Sequence, residues 1–269
     1  MSLSDWAKAF LAAVLLACAM PSVIAAQDMT RFLDLKSDAF TKADMTRTEV
    51  AAALAATAPT AVLDLSGKRL NGLDLSGLDL RRAKLRAAYL NHTNLAGANL
   101  DGVALDQAWA LDADFTGASL RGASLFATQL IGAKLDGADL SGARIAGDLS
   151  RASLRQAHLD GADFSADMRN QSMGLMRGIL RSATLDGASL ENANLSRAVL
   201  EFASLRNANL RGTKLNGSEL GGADLEGADV TNADFDGADV TSTRLIGMRG
   251  RDQARNLDRV RNLDRAFQR

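Results

Sequence analysis

Hydrophobic positions along this chain recur every five residues. Counted in fives from Leu65 to Ile145, sixteen of 17 positions hold Leu, Ile or Phe, with Ala110 the exception. From Leu180 to Leu245, all 14 such positions hold Leu, Val or Phe. Two residues before most of these centres stands a small side chain, as at Ala83, Ala98, Ala118, Ala138, Ala183 and Ala208. The unit reads Ala-(Asp/Asn)-Leu-x-x, often with Gly last, as in Ala98-Asn99-Leu100-Asp101-Gly102. An α-helix would scatter every fifth residue around its axis, and a flat strand would send successive fives to opposite faces. A chain that turns a corner every five residues keeps them all inside. Four sides then close one coil of about 20 residues, and coils stack at the strand spacing of about 4.8 Å.

The pattern predicts an all-β solenoid whose axis is filled by the centre residues, among them Leu85, Leu95, Leu120, Leu135, Leu195, Leu210 and Leu225. From Leu65 to Leu245 it gives about nine coils, a rod roughly 43 Å long at that spacing. Each fully buried Leu contributes about 1.5–3 kcal/mol before entropy is counted. The register slips within 146–149, where Leu149 follows Ile145 by four residues, and again within 165–174. Phe164 to Leu175 reads as two units plus one extra residue, so the two slips cancel and the solenoid continues, with a loop at 167–173.

This repeat resembles the pentapeptide-repeat family, and the likeness covers residues 63 to about 247. It implies a right-handed quadrilateral β-helix. A stacked rod needs covered ends. Thr46-Arg47-Thr48-Glu49 fits a capping box ahead of an Ala-rich helix that Pro59 stops, so residues 27–60 supply a short N-terminal helical cap. Leu35, Phe40 and Met45 share the five-residue phase and offer a competing reading as degenerate repeats. Residues 61–249 form the β-helix and 250–269 a C-terminal cap. There Asn256-Leu257-Asp258-Arg259-Val260 recurs six residues later as Asn262-Leu263-Asp264-Arg265-Ala266, a spacing that takes the tail out of register and into a short helix. C-terminal dimerisation in some members makes a homodimer through Leu257, Leu263 and Phe267 a further expectation.

Residues 1–26 read as a secretory signal peptide: Lys8, the apolar run from Ala9 to Met20, Pro21, then Val23-Ile24-Ala25 before cleavage after Ala25 or Ala26. The run is short of the roughly 20 residues a membrane span needs. The expected location is periplasmic or secreted. Leu15-Leu16-Ala17-Cys18 is the alternative, a bacterial lipobox that would anchor the chain through Cys18 as a lipoprotein.

Composition narrows the chemistry. The chain has 269 residues, 31 Lys+Arg against 32 Asp+Glu, two His, one Cys and 4% aromatic residues. A disulfide framework and a Cys/His metal site are excluded, and near-zero net charge gives no bulk grip on nucleic acid. His92 and His158 fall at outward positions with no catalytic spacing, and the repeated Asp residues follow from the repeat itself. No enzyme activity, cofactor or metal is expected. Charge is uneven along the chain: residues 215–243 carry seven acids and no base, whereas 244–269 carry eight Arg and three Asp. Such adjacent patches would hold the tail against the last coils.

One cluster stands out. At 20 residues per coil, Tyr89 and Trp109 share an outward position on adjacent coils, Leu111 and Ile131 do so one step along, and Phe126 lies on a neighbouring side. An exposed apolar patch of this kind marks a site for an as yet unidentified protein partner. Alternatively, the small Ala110 leaves room for Trp109 or Leu111 to turn inward. The function implied is an exported, non-catalytic scaffold for protein–protein interaction. The alternative, also suggested by the resemblance, is a DNA-mimic modulator of a nucleic-acid enzyme such as DNA gyrase, as some members protect type II topoisomerases from quinolones. Basic residues such as Arg81, Arg82, Lys84, Arg86 and Arg121 interrupt the acidic face this would need, and an export signal removes the protein from that target.

Overall fold

A computed structural model describes residues 30, 32–167 and 176–269. The signal segment, Cys18 and the loop tip at 168–175 lie outside the described residues. The chain divides into Met1–Leu33 and Asp34–Arg269, and the second unit carries the fold.

Each side of the solenoid repeats one local geometry. The centre residue points to the axis, and Leu85, Leu95, Leu120, Leu135, Leu195, Leu210 and Leu225 are all buried. The small residue two before it is buried beside it, as Ala98, Ala138 and Ala208 show. The Asp or Asn between them accepts a hydrogen bond from the backbone N–H two residues on, Asp74 from Ser76 (3.0 Å) and Asn194 from Ser196 (3.2 Å). That bond shapes the corner, which explains the preference for these two residues. The last residue of the unit takes a left-handed conformation, with φ +69° at Gly102 and +52° at Ala87. Where Thr replaces Ala at the inner position, its hydroxyl donates to a carbonyl of the preceding coil, Thr213 to Leu190 at 2.7 Å.

Coils are joined by parallel backbone bonds such as Leu100 N–H to Ser119 O at 2.7 Å. Four ladders of bridges run the length of the unit, one per face. Face 1 runs from β1 (Leu63–Asp64) onto β2 (Ala83–Lys84) and on to Arg255, face 2 from Arg69 to Arg261, face 3 from Asp74 to Phe267, and face 4 from Asp79 to Arg249. Sides this short form single bridges, and β1 and β2 are the extended strands among the described residues.

Two irregularities meet at one corner. Gln129 bridges to Asp148, 19 residues on, and Asp148 then bridges to Ile179, 31 residues on. The second slip is therefore not a one-residue repair. Phe164 is followed on the axis by Leu180, and the segment between leaves the coil as an 11-residue excursion over the 20-residue repeat. Leu175 keeps the five-residue phase in sequence, which is why the spacing reads as two further units.

The ends are closed by the chain itself. Helix α2 (Arg47–Ala56) starts at the expected capping box, with Thr46 and Glu49 bonded reciprocally. Its Val50 and Leu54 join the core of the first coils. Arg82 donates to the carbonyls of Leu54, Thr57 and Ala58 at 3.2, 2.7 and 2.8 Å, satisfying the carbonyls at the helix end. At the other end the sequence expectation is overturned. The tail does not leave the solenoid: Asp234 bridges to Arg255, Asp239 to Arg261 and Arg244 to Phe267, at offsets of 21, 22 and 23 residues. Each six-residue unit absorbs its extra residue in a 3-10 turn, Leu257–Arg259 and Leu263–Arg265, entered through left-handed Asn256 and Asn262. The expected terminal helix is thus two 3-10 turns in a wider final coil. Leu257 and Leu263 pack against the core and are not free for a homodimer, while Phe267 remains 59% exposed.

Candidate functional site

Face 2 differs chemically from the others. Its ladder carries Tyr89, Trp109, Gln129, Ile179 and Val199 where the other faces carry mostly Asp, Asn and Ser. The stacking expected from the 20-residue period is present, since Tyr89 bridges to Trp109, and Ile131 lies one coil beyond Leu111, bonded through Asp112 N–H to Ile131 O at 3.0 Å. The patch is nevertheless not open. A strap, residues 34–45, crosses the first coils here and carries the one-turn helix α1 (Asp38–Thr41).

Phe40 of α1 is buried and stands edge-on to both rings, with centroids 5.4 Å from Tyr89 and 5.2 Å from Trp109, at 84° and 90°. Both are edge-to-face pairs, favoured by the ring quadrupoles. Neither Trp109 nor Leu111 joins the axial core, so neither has turned inward beside Ala110. Their cover is the strap and its surroundings. Phe40 is accordingly a plug on the outside of the coils and not a degenerate repeat.

Polar groups fix the strap around that plug. Asn71 Nδ2 donates to the carbonyls of Ala39 (3.0 Å) and Lys42 (2.9 Å). Its Oδ1 accepts from the backbone N–H and Nδ2 of Asn91, and Asn91 Oδ1 accepts from Leu111 N–H at 3.0 Å. This buried relay, Asn71 to Asn91 to Leu111, holds all three coils in register beneath the strap. Beyond it, Asp44 N–H donates to Arg69 O at 2.7 Å, within the antiparallel bridge Ala43–Leu70. The Asp44 carboxylate takes Arg69 Nε (2.8 Å), Nη2 (2.5 Å) and backbone N–H (2.9 Å). Hydrogen bonding from the Arg69 side chain, then its backbone, holds the Asp44 carboxyl below its ordinary value.

The five sequence candidates thus separate. Tyr89 and Trp109 form one slot with Phe40. Leu111 is buried beside it, and Ile131 continues the same face, half-exposed. Phe126 lies on face 1 under the Arg144 guanidinium, 5.7 Å from its ring centroid, and takes no part in the slot. Phe40, Asn71, Asn91 and the Asp44–Arg69 pair were missed, because their contacts span 20 to 51 residues of sequence.

A second apolar feature lies at the far end of face 2. Phe202 is 68% exposed and adopts φ +59°, an unusual conformation for a bulky side chain. Its ring occupies the space over Gly222, where an added Cβ would fall 2.6 Å from Phe202 Cδ1. The adjoining groove, about 440 Å³, is bordered by Glu201, Glu219 and Asp239. These acids already have cationic neighbours: Arg181 reaches Glu201 at 2.7 Å and Arg177 reaches Glu219 at 2.8 Å. His92 and His158 are exposed. Among the described residues, no group of three or more His, Cys, Asp or Glu could hold a metal ion.

The pentapeptide repeats family matches this chain in eight copies over residues 64–102, 111–145, 148–166, 179–217 and 203–241, more than half of its length. Among solved structures, it is 30% identical to HetL, a pentapeptide repeat protein involved in heterocyst differentiation regulation from the cyanobacterium Nostoc sp. strain PCC 7120. That match covers 76% of this chain and 90% of HetL, with a TM-score of 0.31. It is 18% identical to trypsin-treated QnrB1, a plasmid-mediated fluoroquinolone resistance protein, over 76% of this chain and 92% of that one, at TM-score 0.44. A pentapeptide repeat protein from the Arabidopsis thaliana thylakoid lumen is 24% identical over 62% of this chain and 68% of that one, at TM-score 0.16. No curated protein matches.

Proposed function

From the premise that this chain belongs to the pentapeptide-repeat family and folds as a right-handed quadrilateral β-helix, we propose that it is an exported, non-catalytic scaffold for protein–protein contact. The observation that carries this reading is the face 2 slot. It already holds a peptide segment by two aromatic contacts, main-chain hydrogen bonds and an ion pair. That combination of apolar anchor and polar rim is how protein partners are gripped. Stacked coils keep the slot rigid, which lowers the ordering cost of binding.

The DNA-mimic reading finds less support. Between 215 and 243 the acids do not form a bare stripe: Arg206 pairs with Asp224 (3.1 Å) and Glu226 (2.8 Å), Arg211 with Asp229 (3.4 Å), and Arg259 with Asp236 (3.1 Å). Phosphate mimicry needs unneutralised charge at regular spacing.

Two measurements test the proposal. A photo-crosslinking side chain placed at Ile131, on the half-exposed edge of face 2, gives a discrete protein adduct in cells, and the same group at Thr116 on face 3 gives none. Equal labelling at both positions, or none at either, counts against a face 2 partner site. Intact mass of the mature protein tests export: the expected N-terminus follows Ala25 or Ala26, a diacylated Cys18 would mean anchoring, and a retained Met1 would remove export from the proposal.

A further inference from the structure

The strap is the template of its own competitor. Of residues 38 to 44, Phe40 alone is buried, and it lies outside the axial core cluster. The coils beneath are complete without it, since their Leu and Ala columns and inter-coil bonds use no strap residue. Two contacts define what the slot recognises: an aromatic ring between Tyr89 and Trp109, and a carboxylate four residues later on Arg69. The remaining bonds, from Asn71 to the carbonyls of Ala39 and Lys42, read main chain and so accept any sequence.

We propose that the Tyr89–Trp109–Arg69 slot is a recognition site for a protein segment of the form Phe-x-x-x-Asp, held closed in the free protein by Phe40 and Asp44 of the strap. This rests on the reading of the rod as a protein-binding scaffold and names the partner's chemistry. Tethering gives the strap an effective concentration no free segment matches, so it sets a threshold that admits only partners with additional contacts along the coils. The exposed flanks of the strap allow stepwise replacement: a competitor can take Arg69 before it displaces the ring.

The test uses a fluorescently labelled peptide of residues 34–46 and the full chain, read by anisotropy. The peptide is expected to bind the Phe40→Ala/Asp44→Ala protein at least tenfold more tightly than wild type, and the same peptide carrying Phe40→Ala is expected to lose that binding. Equal affinity for both proteins, no binding to the double variant, or unchanged binding of the altered peptide each overturns the proposal. Circular dichroism melts establish that the coils remain folded. Should the double variant unfold, the single Phe40→Ala protein, which keeps the Asp44 clasp, is judged by the same criteria. Because the titration involves no cellular partner, it fails or succeeds independently of the crosslinking experiment.

Discussion

Gly147 stands at the inner position before Leu149, where most sides carry Ala. The corner there is one residue short and lacks the left-handed step, so the backbone presses inward. A Cβ on Gly147 would lie 2.5 Å from Thr128 O and 3.1 Å from Leu125 O. Gly178 occupies the same corner one coil later, and its Cβ would fall 2.8 Å from Phe164. Both atoms crowding Gly147 are main chain and cannot swing aside. Gly147→Ala is therefore expected to cost toward the upper end of the roughly 1–3 kcal/mol typical of overpacking. Gly137→Ala, at φ +64° but with nothing within 4 Å, is expected to cost about 1 kcal/mol for the left-handed backbone. Denaturant titration of both variants checks the order, and a Gly137 variant the less stable of the two would contradict the tight-corner account. Asp79 is informative in another way. Hydrogen bonds from the Arg81 side chain lower its carboxyl to about 2, and Asp44, Asp74 and Asp229 are lowered as well, by bonds from Arg69, Ser76 and Thr231. A carboxylate whose pKa is depressed on folding stabilises the folded state above its unfolded value of 3.8. That contribution is lost as pH falls through the folded value. The melting temperature is thus expected to hold from neutral pH down to about 4 and to drop between about 4 and 2, with a smaller drop for Asp79→Asn. A melt equally high at pH 2 and 7 would refute it.

Between residue and rod lie the two closing elements, and they work differently. α2 covers the first coils with a hydrophobic pair, Val50 and Leu54. The final coil closes with charge. Along each face, an arginine of the last coil follows an aspartate of the one before: Asp224 then Arg244, Asp229 then Arg249, Asp234 then Arg255, Asp239 then Arg261. A ring of four acids is capped by a ring of four bases, as the uneven charge along the sequence suggested. Arg261 also donates to Gly237 O at 3.1 Å, and Asn256 and Asn262 bond Asp234 and Asp239 at 2.7 and 3.1 Å. Exposed pairs of this kind are worth about 0.2–1 kcal/mol each. Arg255→Gln/Arg261→Gln is accordingly expected to loosen the tail and spare the rod. Amide exchange should accelerate over 250–267 while the coils at 85–145 keep their protection. Unchanged exchange in the tail would mean that Leu257 and Leu263 hold it alone. The six-residue tail units were unreadable as coil from sequence, because a five-residue rule has no place for an added residue. The 3-10 turn that accommodates it is a property of the backbone at Asn256 and Asn262. The strap was hidden for a different reason. Phe40 shares the repeat's phase, and nothing local distinguishes a residue that packs on the outside of a coil from one that fills its axis. The aromatic stack at Tyr89 and Trp109, in contrast, followed directly from the 20-residue period.

At the scale of the whole solenoid, each coil touches only its neighbours, so stability is close to a sum of coil and interface contributions. A lesion in one coil should then spread by interface and not by distance through a common core. Leu195 is fully buried on face 1 between Phe164 and Leu215, and its N–H bonds Lys214 O at 2.8 Å. Leu195→Asp places a carboxyl in a column with no polar partner, at a cost on the order of 4 kcal/mol or more. Asp229→Ser, on the surface, leaves a hydroxyl able to accept from Thr231 N–H and removes the Arg211 pair, a change of about 1 kcal/mol or less. Amide exchange resolved along the chain separates local from global failure. In the Leu195→Asp protein, protection is expected to fall first in the coils that contain 180–215, and to survive longest in coils 65–125, on the other side of the Gly147 corner. Asp229→Ser should show no such gradient. If Leu195→Asp instead lowers protection uniformly from Leu65 to Leu245, the rod unfolds as one cooperative body. The binding slot at Tyr89 and Trp109 would then share the fate of every coil. If the gradient appears, that slot sits in the part of the rod most insulated from damage at its far end.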